Sequence, residues 1–146
     1  MRLPAALLIL GTMTLTIVGA LLAAQVALAK TITGSNAPNT LIGTIRPDQI
    51  SGLRRGDYID GMRGDDTLHG NQGNDKVVGR GGKDRVAGGL HRDELLGGSA
   101  NDTIRAADGY QDTVDCGSGT NDTAYIDPTL DTRRNCENVN PPRSSA

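Results

Sequence analysis

The polar and apolar positions of this chain fall into a nine-residue period. Stepping by nine gives glycine each time: Gly34, Gly43, Gly52, Gly61, Gly70, Gly79, Gly88 and Gly97. The sixth place of each unit holds Asn39, Asp48, Asp57, Asp66, Asp75, Asp84, Asp93 and Asp102. The eighth holds Leu41, Ile50, Ile59, Leu68, Val77, Val86, Leu95 and Ile104. One apolar residue in this spacing is too sparse for a helix face, which needs one every three or four positions. The pattern predicts a turn followed by a strand of about three residues. Glycine gives the turn its positive φ, the aspartate side chain caps it, and the aliphatic residue points inward. A single unit buries one side chain and closes no core, so the units have to stack.

The unit Gly70-Asn71-Gln72-Gly73-Asn74-Asp75-Lys76-Val77-Val78 and its neighbours resemble the RTX (haemolysin-type) calcium-binding nonapeptide repeat, Gly-Gly-x-Gly-x-Asp-x-U-x with U a large apolar residue. The resemblance is close over 34–105 and loose to about Tyr125. It implies an all-β fold, a parallel β-roll or β-solenoid with two nonads per coil and Ca2+ in the turns along both edges. Alternate units then share an edge about 4.8 Å apart. Asp48, Asp66, Asp84 and Asp102 line one edge, and Asn39, Asp57, Asp75, Asp93 and Asp112 the other.

Like charges at that spacing repel by roughly 3 to 4 kcal/mol per pair at an effective dielectric of 20, so the columns need neutralising. Calcium is one answer, because a hard cation gathers roughly six to eight carboxylate and carbonyl oxygens. Fixed counter-ions are the other, from Arg46, Arg54, Arg55, Arg63, Arg80, Lys83, Arg85 and Arg92 in or beside the same turns. The expected metal ligands are Asp66, Asp75 and Asp84, whose units keep Gly64, Gly73 and Gly82 at the fourth place. Asp57, Asp93 and Asp102 follow, with Asp65 and Asn74 as auxiliary oxygens. Arg46, Arg55 or His91 at the fourth place puts a side chain into a turn that asks for positive φ.

Composition sharpens this picture. With no Trp, no Phe and 3 Tyr, the chain lacks the side chains of an ordinary globular core, whereas a thin solenoid fills with stacked aliphatics. Residues 1–29 read as a secretory signal peptide: Arg2, an uncharged apolar run, then Ala27-Leu28-Ala29 before Lys30. An uncleaved membrane anchor is the alternative. Either places the nonads outside the cytoplasm, and cleavage leaves no membrane attachment. In an exported chain Cys116 and Cys136 are expected to form a disulfide that ties down the C-terminal end.

The chain thus divides into a signal peptide (1–29), a repeat roll (30–105, with its nonads over 34–105), degenerate repeats with a C-terminal cap (106–139) and a disordered tail (140–146). A formal net charge of −2 argues against a nucleic-acid partner. His69 and His91 have no cysteine close in sequence, and no serine sits in a nucleophile elbow, so nothing indicates an enzyme. Arg55-Gly56-Asp57 and Arg63-Gly64-Asp65 spell a cell-adhesion tripeptide only because the repeat sets Gly and Asp close together. The expected function is a secreted or surface-exposed calcium-binding β-roll, a structural or interaction module whose folding extracellular calcium completes. The alternative is a metal-free solenoid adhesin or accessory subunit that binds an envelope or glycan partner.

Overall fold

The computed structural model describes residues 29–140; the signal-peptide segment and the tail beyond 140 lie outside the described residues. The described residues hold thirteen strands: β1 (Thr31–Thr33), β2 (Thr40–Ile42), β3 (Gln49–Arg54), β4 (Tyr58–Asp60), β5 (Thr67–Gln72), β6 (Lys76–Gly81), β7 (Arg85–Leu90), β8 (Glu94–Ser99), β9 (Thr103–Arg105), β10 (Thr113–Ser118), β11 (Thr123–Tyr125), β12 (Thr132–Arg134) and β13 (Asn138–Asn140). Odd-numbered strands form one sheet and even-numbered strands the other, and every pairing is parallel. Each strand pairs with the one two nonads on, as Ile50 with Leu68 and Leu68 with Val86. The molecule is an all-β parallel solenoid with two nonads per coil. No helix of the described residues is long and apolar enough to cross a membrane.

The eighth-place side chains meet between the sheets. Ile50, Ile59, Leu68, Val77, Val86, Leu95, Ile104 and Val114 are all buried, joined by Ala106, Ala124 and Ile126 at the C-terminal coils. This one-residue-wide core explains how a chain nearly free of aromatics folds at all. Several strands are longer than the three residues the spacing predicts: β3, β5, β6, β7, β8 and β10 each run for six. They continue past the first-place glycine because the second and third places still pair with the next coil, as Asn71 does with Gly89.

The first-place glycines differ from expectation in a second way. None of them has positive φ; the left-handed residues lie at the second and fourth places. The first place is glycine for want of room. A Cβ on Gly70 or Gly79 would collide with the Oδ2 of Asp75 or Asp84 in the same unit. The inward hydrogen-facing surface of that glycine is the wall of the aspartate's compartment.

Beyond Arg105 the stacking continues with slips. The backbone N–H of Asp93 reaches a carboxylate 19 residues on, that of Asp102 one 20 on, and that of Asp122 one only 15 on. Extra or missing residues are absorbed in the turns while the strands stay paired. Cys116 stands where the stack otherwise has a first-place glycine, fully buried, and is disulfide-bonded to Cys136 with Cα atoms 5.2 Å apart. The bond links β10 to the stretch between β12 and β13, closing the C-terminal coil.

Candidate metal centre

Each sixth-place aspartate lies at the end of a turn, with its side chain folded back under the chain. One oxygen, Oδ1, accepts the backbone N–H of the aspartate one coil earlier. Asp66 serves Asp48 at 2.7 Å, Asp84 serves Asp66 at 2.8 Å and Asp102 serves Asp84 at 2.8 Å. On the other edge Asp57 serves Asn39, Asp75 serves Asp57 and Asp93 serves Asp75. Two continuous ladders of carboxylates therefore run the length of the solenoid, one per edge, with the membership the two-nonad coil demands. They run further than the nine-residue count reaches, through Asp112 to Asp131 on one edge and through Asp122 to Glu137 on the other. The Asp-x-aliphatic pairs Asp112–Val114 and Asp122–Ala124 were the sequence signal for these coils; Asp131 and Glu137 carried none.

The second oxygen is the informative one. In Asp57, Asp66, Asp75, Asp84, Asp93, Asp102, Asp112 and Asp122, Oδ2 is buried and has no hydrogen-bond partner. At the ends of the ladders the carboxylates are satisfied. Asp48 Oδ2 accepts the N–H of Thr44 at 2.5 Å, and Asp131 Oδ2 accepts that of Asp127 at 2.7 Å. From Asp48 to Asp102 the difference follows the second place of the unit; Asp112 is orphaned as well, with Ala107 in that place not left-handed. Thr44 keeps ordinary backbone geometry and its N–H reaches the carboxylate. From Leu53 onward the second place is left-handed, at Leu53, Met62, Asn71, Arg80, Gly89 and Gly98, and no such bond forms.

An orphaned buried oxygen of this kind costs about 1 to 3 kcal/mol, and more when charged. Its consequence is visible in proton affinity. Burial, only partly offset by the backbone N–H that each Oδ1 accepts, pushes Asp66 up to about 6, Asp84, Asp102 and Asp112 up to about 7 and Asp93 up to about 8. Neighbouring carboxylates in the same ladder add to the rise. Asp75 and Asp122 are raised for the same first cause.

The arginines do not answer this charge. Among the described residues the ion pairs are Lys76–Glu94, Arg80–Asp60 and Arg134–Asp115, and none includes a ladder aspartate. The expected counter-ions point outward. Asp65 and Asn74 stay on the exposed side, where their Oδ1 atoms accept the N–H of Lys83 at 2.8 Å and of Arg92 at 3.3 Å.

These features fit a hard divalent cation. The orphaned oxygens are carboxylate, recur from Asp57 to Asp122 and are shielded from water. Among the described residues no three acidic, histidine or cysteine side chains gather at one point, so the remaining donors have to be backbone carbonyls. The turns bring such carbonyls close: the Gly64 carbonyl oxygen lies against the α-carbon of Gly82 one coil on, where a Cβ would collide.

Against known proteins, the family model of the RTX calcium-binding nonapeptide repeat matches in four copies, over residues 51–86 and 87–109. No curated protein and no solved structure matches the chain. The matched residues hold six of the eight orphaned carboxylates, Asp57 to Asp102, and over them the chain carries RTX calcium-binding nonapeptide repeats.

Proposed function

We propose that this chain is an exported structural module whose repeat coils are neutralised and locked by calcium outside the cell. The observation that carries the reading is the set of eight buried Oδ2 atoms without a partner. The assigned ligands are Asp57, Asp66, Asp75, Asp84, Asp93 and Asp102, to which the ladder geometry adds Asp112 and Asp122. Asp65 and Asn74 are the auxiliary oxygens, since an oxygen that accepts one N–H keeps a second lone pair for a cation. A bound cation supplies the positive charge that the outward-pointing arginines withhold. The chain's own part is to hold each carboxylate by Oδ1, exclude water from Oδ2, and bring carbonyls over it by close stacking of the turns. The roll over 30–105 carries six of these ligands, Asp112 and Asp122 extend the set into 106–139, and the disulfide there covers the C-terminal end.

Extracellular calcium modules commonly bind at about 0.1–1 mM, so at a few millimolar calcium each site contributes roughly 1 kcal/mol, and several act together. The test is circular dichroism and thermal melting of the exported chain in chelator and across a calcium titration. The expected result is a cooperative gain of β-signal and melting temperature with calcium; identical curves in the two conditions would sink the proposal. Mass spectrometry of the secreted chain checks export, with Lys30 expected at its N-terminus.

A further inference from the structure

With the acids turned inward, the outside of the roll carries the opposite charge from the chain as a whole. Arg46, Arg54, Arg55, Arg63, Lys83, Arg85 and Arg92 make no ion pair among the described residues. On the edge of Asp48, Asp66 and Asp84, the cations Arg46, Arg63, Arg80 and Lys83 lie over three stacked turns, with Asp65 the exposed acid among them. There Arg63, Arg80 and Ser99 line a shallow hollow of about 280 Å³ together with Met62 and Gly81.

Arg80 is fixed in place. Its Nε and Nη2 donate to Oδ1 and Oδ2 of Asp60, each at 2.6 Å, and the Asp60 carboxylate is buried and further held by the Tyr58 hydroxyl and the Met62 N–H. Nη1 is left with no partner. Arg80 adopts φ 71, the left-handed geometry that Leu53, Met62 and Asn71 share at the same place of their units. The Arg63 guanidinium and the Ser99 hydroxyl also make no hydrogen bond.

We propose that this hollow binds a sulfate ester of a sulfated polysaccharide. Two guanidinium groups and a hydroxyl that line one hollow and keep unused donors suit an oxyanion, and arginine is the side chain that best matches such a group. Because Asp60 already balances Arg80, Arg63 leaves one net positive charge, which matches a monoanionic ester. Arg46 and Lys83 continue the cationic row on both sides, in reach of further esters along a linear chain. Single-stranded nucleic acid is disfavoured, since none of the three tyrosines lines the hollow to stack a base. None of the lining side chains is an assigned calcium ligand, but Met62, Arg63, Arg80 and Gly81 belong to the turns that lead to Asp66 and Asp84, so calcium is held fixed in the test.

Isothermal titration of the full exported chain at fixed calcium, against dextran sulfate oligomers, unsulfated dextran and a single-stranded DNA of similar charge, tests the assignment. Only the sulfated sugar should bind well. Arg63→Gln should weaken it about tenfold, the loss expected for one charged hydrogen bond. Ser99→Ala should weaken it less, and Arg54→Gln on the opposite edge should leave it unchanged. Arg63 is exposed and its side chain makes no contact that folding needs, so the variant reads binding. Equal affinity of Arg63→Gln and the parent would overturn the site. DNA binding as tight as dextran sulfate with the same Arg63 dependence would replace the sulfated sugar by a phosphodiester.

Discussion

A sixth-place aspartate has two oxygens with different fates, and its substitution separates them. Oδ1 holds the backbone of the preceding coil and Oδ2 is stranded, so Asp75→Asn keeps an acceptor for Asp57 and removes the buried charge. It should raise the melting temperature in chelator and reduce the gain that calcium brings. Asp48→Asn should do neither, because the Thr44 N–H already satisfies that carboxylate. Paired melting curves in chelator and calcium decide it; the same response from both variants would contradict the orphaned-oxygen argument. The second place carries a related prediction. Leu53 is held at φ 87 while largely out of the core, so Leu53→Gly should stabilise the chelated chain by about 1 kcal/mol, read from urea unfolding. The aspartates were legible in the sequence because their chemistry repeats at one spacing. The left-handed second place was not: Leu53, Met62, Asn71 and Arg80 hide it, and only coordinates show that this flip removes the N–H that would close Oδ2.

At the scale of elements, the strands follow from one aliphatic residue per nonad, and their order from the fact that two nonads make a coil. Slips after Arg105 cost little because the turn absorbs each added residue while Val114 and Ala124 stay under Leu95 and Ile104. What a nine-residue count could not reach is the last coil, where the ladder step shortens to 15 and Glu137 replaces aspartate. The longer glutamate side chain spans what the shorter loop no longer positions. That coil has little burial, since β12 is exposed throughout and β13 offers only Val139 to the core. The Cys116–Cys136 bond is therefore its main tie. Closing a loop of this separation, 20 residues, stabilises by about 3 kcal/mol in the chain-entropy model. Replacing both cysteines by serine should lower the melting temperature accordingly. Hydrogen exchange should show protection lost first in β12 and β13 and retained in β5 to β8. Uniform loss along the chain would instead mean that the whole solenoid opens as one unit.

For the molecule as a whole, the two ladders make stability depend on pH in a direction opposite to that of most proteins. A carboxylate paired with a cation has a lowered pKa and stabilises above it. Here Asp66, Asp84, Asp93, Asp102 and Asp112 are raised to between about 6 and 8, with burial the leading cause. The folded chain thus binds more protons than the unfolded one between pH 4 and 8, and its stability falls as pH rises through that window. In chelator the melting temperature should be highest near pH 4 to 5 and decline steadily to pH 8. With calcium at several millimolar the cation takes the place of the protons, so the decline should flatten or reverse. The difference between the two curves should widen with pH and be largest at pH 8. Melting scans in chelator and calcium at four or five pH values test this. A chelator curve that rises from pH 5 to 8 would mean that the ladder carboxylates are already paired in the metal-free state. The cation would then have no uncompensated charge to relieve. Two ladders of buried acids on a thin aliphatic core behave, on this account, as a fold held back by its own charge until an ion or a proton removes it.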